Sequence, residues 1–203
     1  MKKIMFNDKY GLTAAVLNGS KTQTRRIINA MPQDPKIAYG LEEKAGYVHL
    51  LDGYTIVAES KYKIGEVVAV AQSYFDIKTS ANSYRPPIWE GYKDWHKYLD
   101  TLPPYGAGYY NKMFVKPGLM PHRIRIEKVR VERLQDISEV DCIREGVFDL
   151  EPYEIRPKFT VSNLGEVFIT EKEAYAALID AISGKGTWES NPWVFVYNFK
   201  LIK

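Results

Sequence analysis

The chain predicts an α+β fold, and three patterns carry that prediction. Arg123, Ile124, Arg125 and Ile126 alternate charged and apolar residues, the period of a strand with one buried face. Tyr47 to Val57 reads as two short strands reversing at Asp52-Gly53, a dipeptide suited to a tight hairpin turn. Glu171 to Ser183 places Ala174, Leu178 and Ile182 on one helical stripe, and Gly184 stops it.

The remaining elements follow in chain order. Leu12, Ala15 and Val16 recur at helical spacing, and Gly19 falls where a left-handed helix cap is expected. The β-branched Thr22, Thr24, Ile27 and Ile28 then favour an extended segment. Within it Thr22, Thr24 and Arg26 point one way, while Lys21, Gln23 and Arg25 point the other. A turn at Gly19-Ser20 is the alternative that swings Lys21 toward Thr24. Gly65 to Val70 reads as a further strand. Arg130 to Gly146 reads as strand, turn and capped helix, with Ser138 and Asp141 approximating a capping box. Asn191 to Phe199 closes the chain with an apolar, aromatic strand.

One domain with three inserts fits a chain of 203 residues, 45% hydrophobic and 26% charged. The inserts run from about 30 to 61, from 73 to 118 and from 148 to 170. The second concentrates tyrosine and tryptophan, including Trp89 and Trp95, in what reads mostly as loop. Such aromatic loops either act as lids and base-stacking surfaces or seal the mouth of the fold. The third offers a hairpin around Asn163-Leu164-Gly165.

Composition excludes several classes. No apolar run approaches the roughly 20 residues of a membrane span, so a membrane partner is not expected. The polar Asn7, Asp8 and Lys9 cut short the apolar start, which therefore reads as no signal peptide. Cys142 is the one cysteine, which excludes an internal disulfide and a multi-cysteine metal site and suits a reducing cytoplasm. His49, His96 and His122 show no ligand spacing, and no cofactor is expected. The net charge of +3 is too small to imply nucleic acid by itself. Its distribution says more: Lys21, Arg25 and Arg26 cluster, as do Arg123, Arg125, Lys128, Arg130 and Arg133.

Four ordered segments carry a family resemblance. They are Gly19, Lys21 and Arg26 as G-x-K-x-x-x-x-R, then Gly65 to Val70, Leu134 to Gly146, and Asn191 to Phe199. Together they resemble the ASCH domain family, whose fold is similar to that of PUA RNA-binding domains. The long inserts are most similar to those of phage- and prophage-borne members. The resemblance implies a small mixed β-barrel with flanking helices, and RNA or a nucleoside or nucleotide as the partner.

Some small bacterial members of that family remove the acetyl group from N4-acetylcytidine. By resemblance, Thr24 would be the nucleophile, Lys21 its activating base or oxyanion partner, and Glu145 the proton shuttle. Gly19 and Arg26 of the signature are candidate substrate contacts, and charge and ring chemistry add Arg25, Arg123, Arg125, Trp89 and Trp95 to them. Read as plain residues, Thr24 is a strand former, Lys21 a solvated cation, and Glu145 the partner of Lys21 or Arg26 in a structural ion pair. A nucleic-acid or nucleotide-binding module is the leading expectation. A metal-independent amidohydrolase follows, and then a ribonuclease or structural phage factor.

Overall fold

The computed structural model describes residues 1–29, 40–80, 99–152 and 158–202. The fold is mixed α+β, and its contacts divide it into two compact units. Unit one comprises Met1–Phe6, Val67–Arg125 and Leu201–Lys203, and unit two comprises Asn7–Glu66 and Ile126–Lys200.

In unit one, β1 (Lys3–Ile4) runs parallel to β6 (Val67–Val70), which pairs antiparallel with the start of β7 (Arg123–Arg133). The alternation read from the sequence holds at that start: Ile124 and Ile126 are buried, Arg125 is exposed and Arg123 half-buried. Ala69, Ala71, Ile77, Leu102, Val115 and Met120 form the apolar core of this unit. α2 (Tyr74–Ser80) leans on it through Tyr74 and Ile77. His122 is buried beside Gln72, its Nδ1 lying 2.7 Å from Gln72 Oε1. Burial lowers the His122 pKa to about 4.

In unit two, α1 (Leu12–Asn18) buries Leu12, Thr13 and Val16 and ends at Gly19, whose φ of 84° is the left-handed cap expected there. β2 (Gln23–Ile27) pairs antiparallel with β10 (Trp193–Ile202), Thr24 standing opposite Tyr197. β4 (Tyr47–Asp52) and β5 (Thr55–Glu59) form the expected hairpin. Asp52 faces Thr55, so Gly53 and Tyr54 make the turn, with Gly53 at a φ of 59°. A third strand, β3 (Gly40–Lys44), flanks β4 and is an addition to the sequence reading.

The helix that ends at Glu145 is short. α3 (Glu139–Arg144) starts where the Ser138 hydroxyl accepts from the Asp141 N–H at 3.2 Å. The other half of the expected capping box is not made, because the Asp141 carboxylate is taken by arginines. β8 (Phe148–Asp149) pairs with β9 (Phe159–Thr160). The chain then reverses around Asn163 and Gly165, both at positive φ, and Phe159 meets Phe168 across an isolated bridge.

α4 (Glu171–Ser183) has a complete capping box from Thr170 and Glu173. It buries Ala174, Tyr175 and Leu178, whereas Ile182 is exposed. α5 (Thr187–Ser190) leads into β10. The expectation of a closed barrel is not met: no set of described strands closes on itself. No described helix is long and apolar enough to cross a membrane.

Candidate functional site

Strand alternation decides which side chains meet. Gln23 and Arg25 project from one face of β2 and Thr24 and Arg26 from the other. Lys21, just before the strand, reaches the Gln23 face through its long side chain. On that face its Nζ donates to the Glu145 carboxylate at 2.6 Å and to the Glu145 backbone carbonyl at 2.6 Å. Arg25 Nη1 donates to the second Glu145 carboxylate oxygen at 3.1 Å. Lys21 is 2% exposed and Glu145 4% exposed, so this contact is sealed from bulk water.

A second carboxylate cluster extends the first. Arg25 Nη2 donates to Glu132 Oε1 at 2.5 Å and approaches Asp141 Oδ2 at 3.4 Å. Arg130 donates to Glu132 Oε2 at 2.9 Å and to Asp141 Oδ2 at 2.5 Å. Arg144 reaches Asp141 Oδ1 at 3.2 Å. With its oxygen turned to Arg25, the Gln23 amide accepts from Nη1 at 2.6 Å and donates to Asp141 Oδ1 at 3.1 Å. Lys21, Arg25 and Arg130 thus face Glu132, Asp141 and Glu145. Buried charges survive in a fold when each is paired and hydrogen-bonded, and these are.

Burial lowers the Lys21 pKa; Glu145 works against that shift, while Arg26 and Arg25 add to it. Burial alone would raise Asp141, but the Gln23 hydrogen bond and then Arg130 and Arg25 hold it below the usual carboxylate range. Tyr175 of α4 closes the site. Its ring lies 6.0 Å from the Arg25 guanidinium carbon, and among the described residues its buried hydroxyl takes no hydrogen bond. Burial, then the negative Glu145, push its pKa well above that of a free tyrosine.

The other expected residues lie elsewhere. Thr24 is buried in the ladder opposite Tyr197 and makes no described hydrogen bond to Lys21 or Glu145. Arg26 is exposed on that same side of β2 and influences Tyr62 and Tyr197 electrostatically. Gly19 serves as the α1 cap, and a Cβ there would meet nothing within 4 Å. Arg123 and Arg125 belong to unit one. Trp89 and Trp95 lie outside the described residues.

Sequence reading missed Gln23, Arg130, Glu132, Asp141 and Tyr175 as members of the cluster. Two signals for them exist: Arg130 and Glu132 are two apart on a strand, and Asp141 and Glu145 are four apart on a helix. Each spacing puts the pair on one face. Among the described residues no three His, Cys, Asp or Glu side chains gather as a metal site.

A cavity of about 270 Å³ opens beside the cluster, walled by Tyr10, Ala14 and Ser20 on one side and Ile143, Gly146 and Phe148 on the other. Ser20 precedes Lys21 and Gly146 follows Glu145, yet neither charged residue lines the cavity. Compared with protein-family models, curated proteins and solved structures, the chain matches none of them.

Proposed function

We propose that this chain is an ASCH-like, PUA-related protein that binds a nucleotide or nucleic acid, with the Lys21–Glu145 cluster as its internal scaffold. The observation that carries this reading is the division of β2. Lys21 pairs with Glu145 and Arg25 with Glu145, Glu132 and Asp141 on one face, while Thr24 and Arg26 project from the opposite side. An exposed guanidinium suits a phosphate contact, and a lysine locked to a carboxylate suits a fixed framework. The placement of the resemblance-bearing segments agrees: Gly19–Arg26 and Asn191–Phe199 meet in the β2–β10 pair, and Leu134–Gly146 supplies Glu145.

One observation favours the amidohydrolase as second reading. A lysine whose pKa is lowered beside a carboxylate is what a general base requires. Titration of a fluorescent single-stranded oligonucleotide at low and high salt, run beside an acetate-release assay on N4-acetylcytidine, separates the two. The binding reading expects affinity that falls with salt and no turnover. Acetate release abolished by Thr24→Ala would replace it with the hydrolase, and no oligonucleotide or nucleotide binding at low salt would end it.

A further inference from the structure

Unit one presents aromatic rings to solvent from a rigid base. Phe75 of α2 lies 5.3 Å from Tyr110 and 6.0 Å from Tyr109, centroid to centroid, and Tyr109 and Tyr110 stand edge to face at 4.8 Å. Tyr110 is nevertheless 77% exposed, and Phe114, four residues on, is 60% exposed. Rings of this size normally bury most of their area. Tyr110 and Phe75, the latter 38% exposed, stand over the half-buried Tyr109, and Phe114 is a further exposed ring of the same segment. Such rings mark a contact surface.

The rings are held in place by backbone and lysine contacts. The Tyr74 and Phe75 N–H groups donate to the Gly108 and Tyr109 carbonyls at 3.0 and 2.9 Å. Lys3 Nζ donates to the Lys112 and Val115 carbonyls at 3.1 and 2.9 Å, and Lys112 Nζ to the Phe6 carbonyl at 2.5 Å. The segment that turns Phe114 outward is therefore clamped at both ends, and little ordering entropy remains to be lost on binding.

Charge identifies the occupant. The described residues of unit one carry seven lysines and arginines against only two acidic residues, Asp76 and Asp100. A positive body bearing exposed rings is the combination that holds single-stranded nucleic acid, phosphates by charge and bases by stacking. We infer that the Phe75–Tyr109–Tyr110 cluster, with Phe114, is a stacking platform for unpaired bases of a single-stranded nucleic acid. This rests on the nucleic-acid reading above and adds where and how the strand is held.

The test uses the full chain and four fluorescein-labelled probes. These are a single-stranded RNA, the DNA of the same sequence, their duplex, and an abasic strand of equal length. Wild-type protein should bind the single strands more tightly than the duplex or the abasic strand. Tyr110→Ala and Phe114→Ala, both at exposed positions, should each weaken single-strand binding roughly five- to a hundredfold, with the salt slope kept. Abasic-strand binding should be unchanged. Single-strand affinity equal to wild type in both variants overturns the platform and leaves the broader reading standing. Failure of every probe to bind overturns the platform and the nucleic-acid form of the reading above, and leaves only its nucleotide-binding form. A concentration-dependent dimer in sedimentation, lost in Tyr110→Ala while oligonucleotide binding persists, assigns the rings to a second copy of this chain and overturns the platform.

Discussion

Lys21 Nζ meets Glu145 twice over, through the Glu145 carboxylate and the Glu145 backbone carbonyl. The carbonyl is that of the residue capping α3, so one lysine pins both the helix end and its last acidic side chain. Removing either partner therefore has unequal consequences.

Glu145→Ala leaves Lys21 and Arg25 as buried cations that have lost their shared carboxylate. It should cost about 3–5 kcal/mol, the scale for removing one partner of a buried ion pair. Lys21→Met removes the buried charge itself, and Arg25 still pairs with Glu145, so the loss should be clearly smaller. Urea unfolding of the two variants checks the order. Equal losses, or a milder Glu145→Ala, would mean that the cluster does not hold the fold.

His122 should make unit one sensitive to mild acid. Its folded pKa of about 4 lies below the ordinary histidine value of 6.5, so between these values the unfolded chain binds the proton and the folded chain does not. Stability contributed by the neutral ring is present above about pH 6.5 and is lost as pH falls toward 4. The largest loss from this group is about 3 kcal/mol. A His122→Gln variant should show a flatter stability profile across that window. Urea midpoints at half-unit pH steps measure it, and identical wild-type and variant slopes would contradict the assignment.

Gly108 is a packing position. A Cβ there would stand 2.6 Å from the Tyr74 ring and 3.1 Å from Val115, while Tyr74 is buried in the unit-one core. Gly108→Ala should cost about 1–3 kcal/mol by overpacking and should disturb the tyrosine signals in near-ultraviolet circular dichroism. An unchanged spectrum with unchanged stability would show that the ring moves aside without penalty.

Tyr175→Phe tests the opposite kind of change. The Tyr175 hydroxyl is buried and takes no hydrogen bond among the described residues, so deleting it removes a desolvated polar group and little else. The variant should be neutral or up to about 1 kcal/mol more stable in chemical unfolding. A loss beyond 1 kcal/mol would reveal a role for the hydroxyl in the Glu145 cluster.

Local signals carried most of the secondary structure. Gly19 and Gly184 ended their helices, and the Arg123–Ile126 alternation became a strand, because caps and period are written within a few neighbouring residues. Tertiary choices were harder. Ile182 fits the apolar stripe of α4, yet Tyr175 is the residue that goes inward, its ring meeting Arg25 from a distant strand. Lys21 and Glu145 were legible as partners through the resemblance. Arg25 as the third member was not, since strand alternation separates it from Arg26 without saying which face Glu145 occupies. Asp141 looked like a capping residue and serves as an arginine acceptor, a difference that only the position of β7 decides.

The lone thiol gives unit two a built-in clock. Cys142 is fully buried on α3, and burial, eased by Arg25, raises its pKa to about 12. A thiol reagent added at neutral pH can therefore modify it only during excursions that expose the helix. Because the chain has no second cysteine, every modified molecule reports the same opening event. The labelling rate becomes a single-site measure of how often the helix carrying Glu145 comes away.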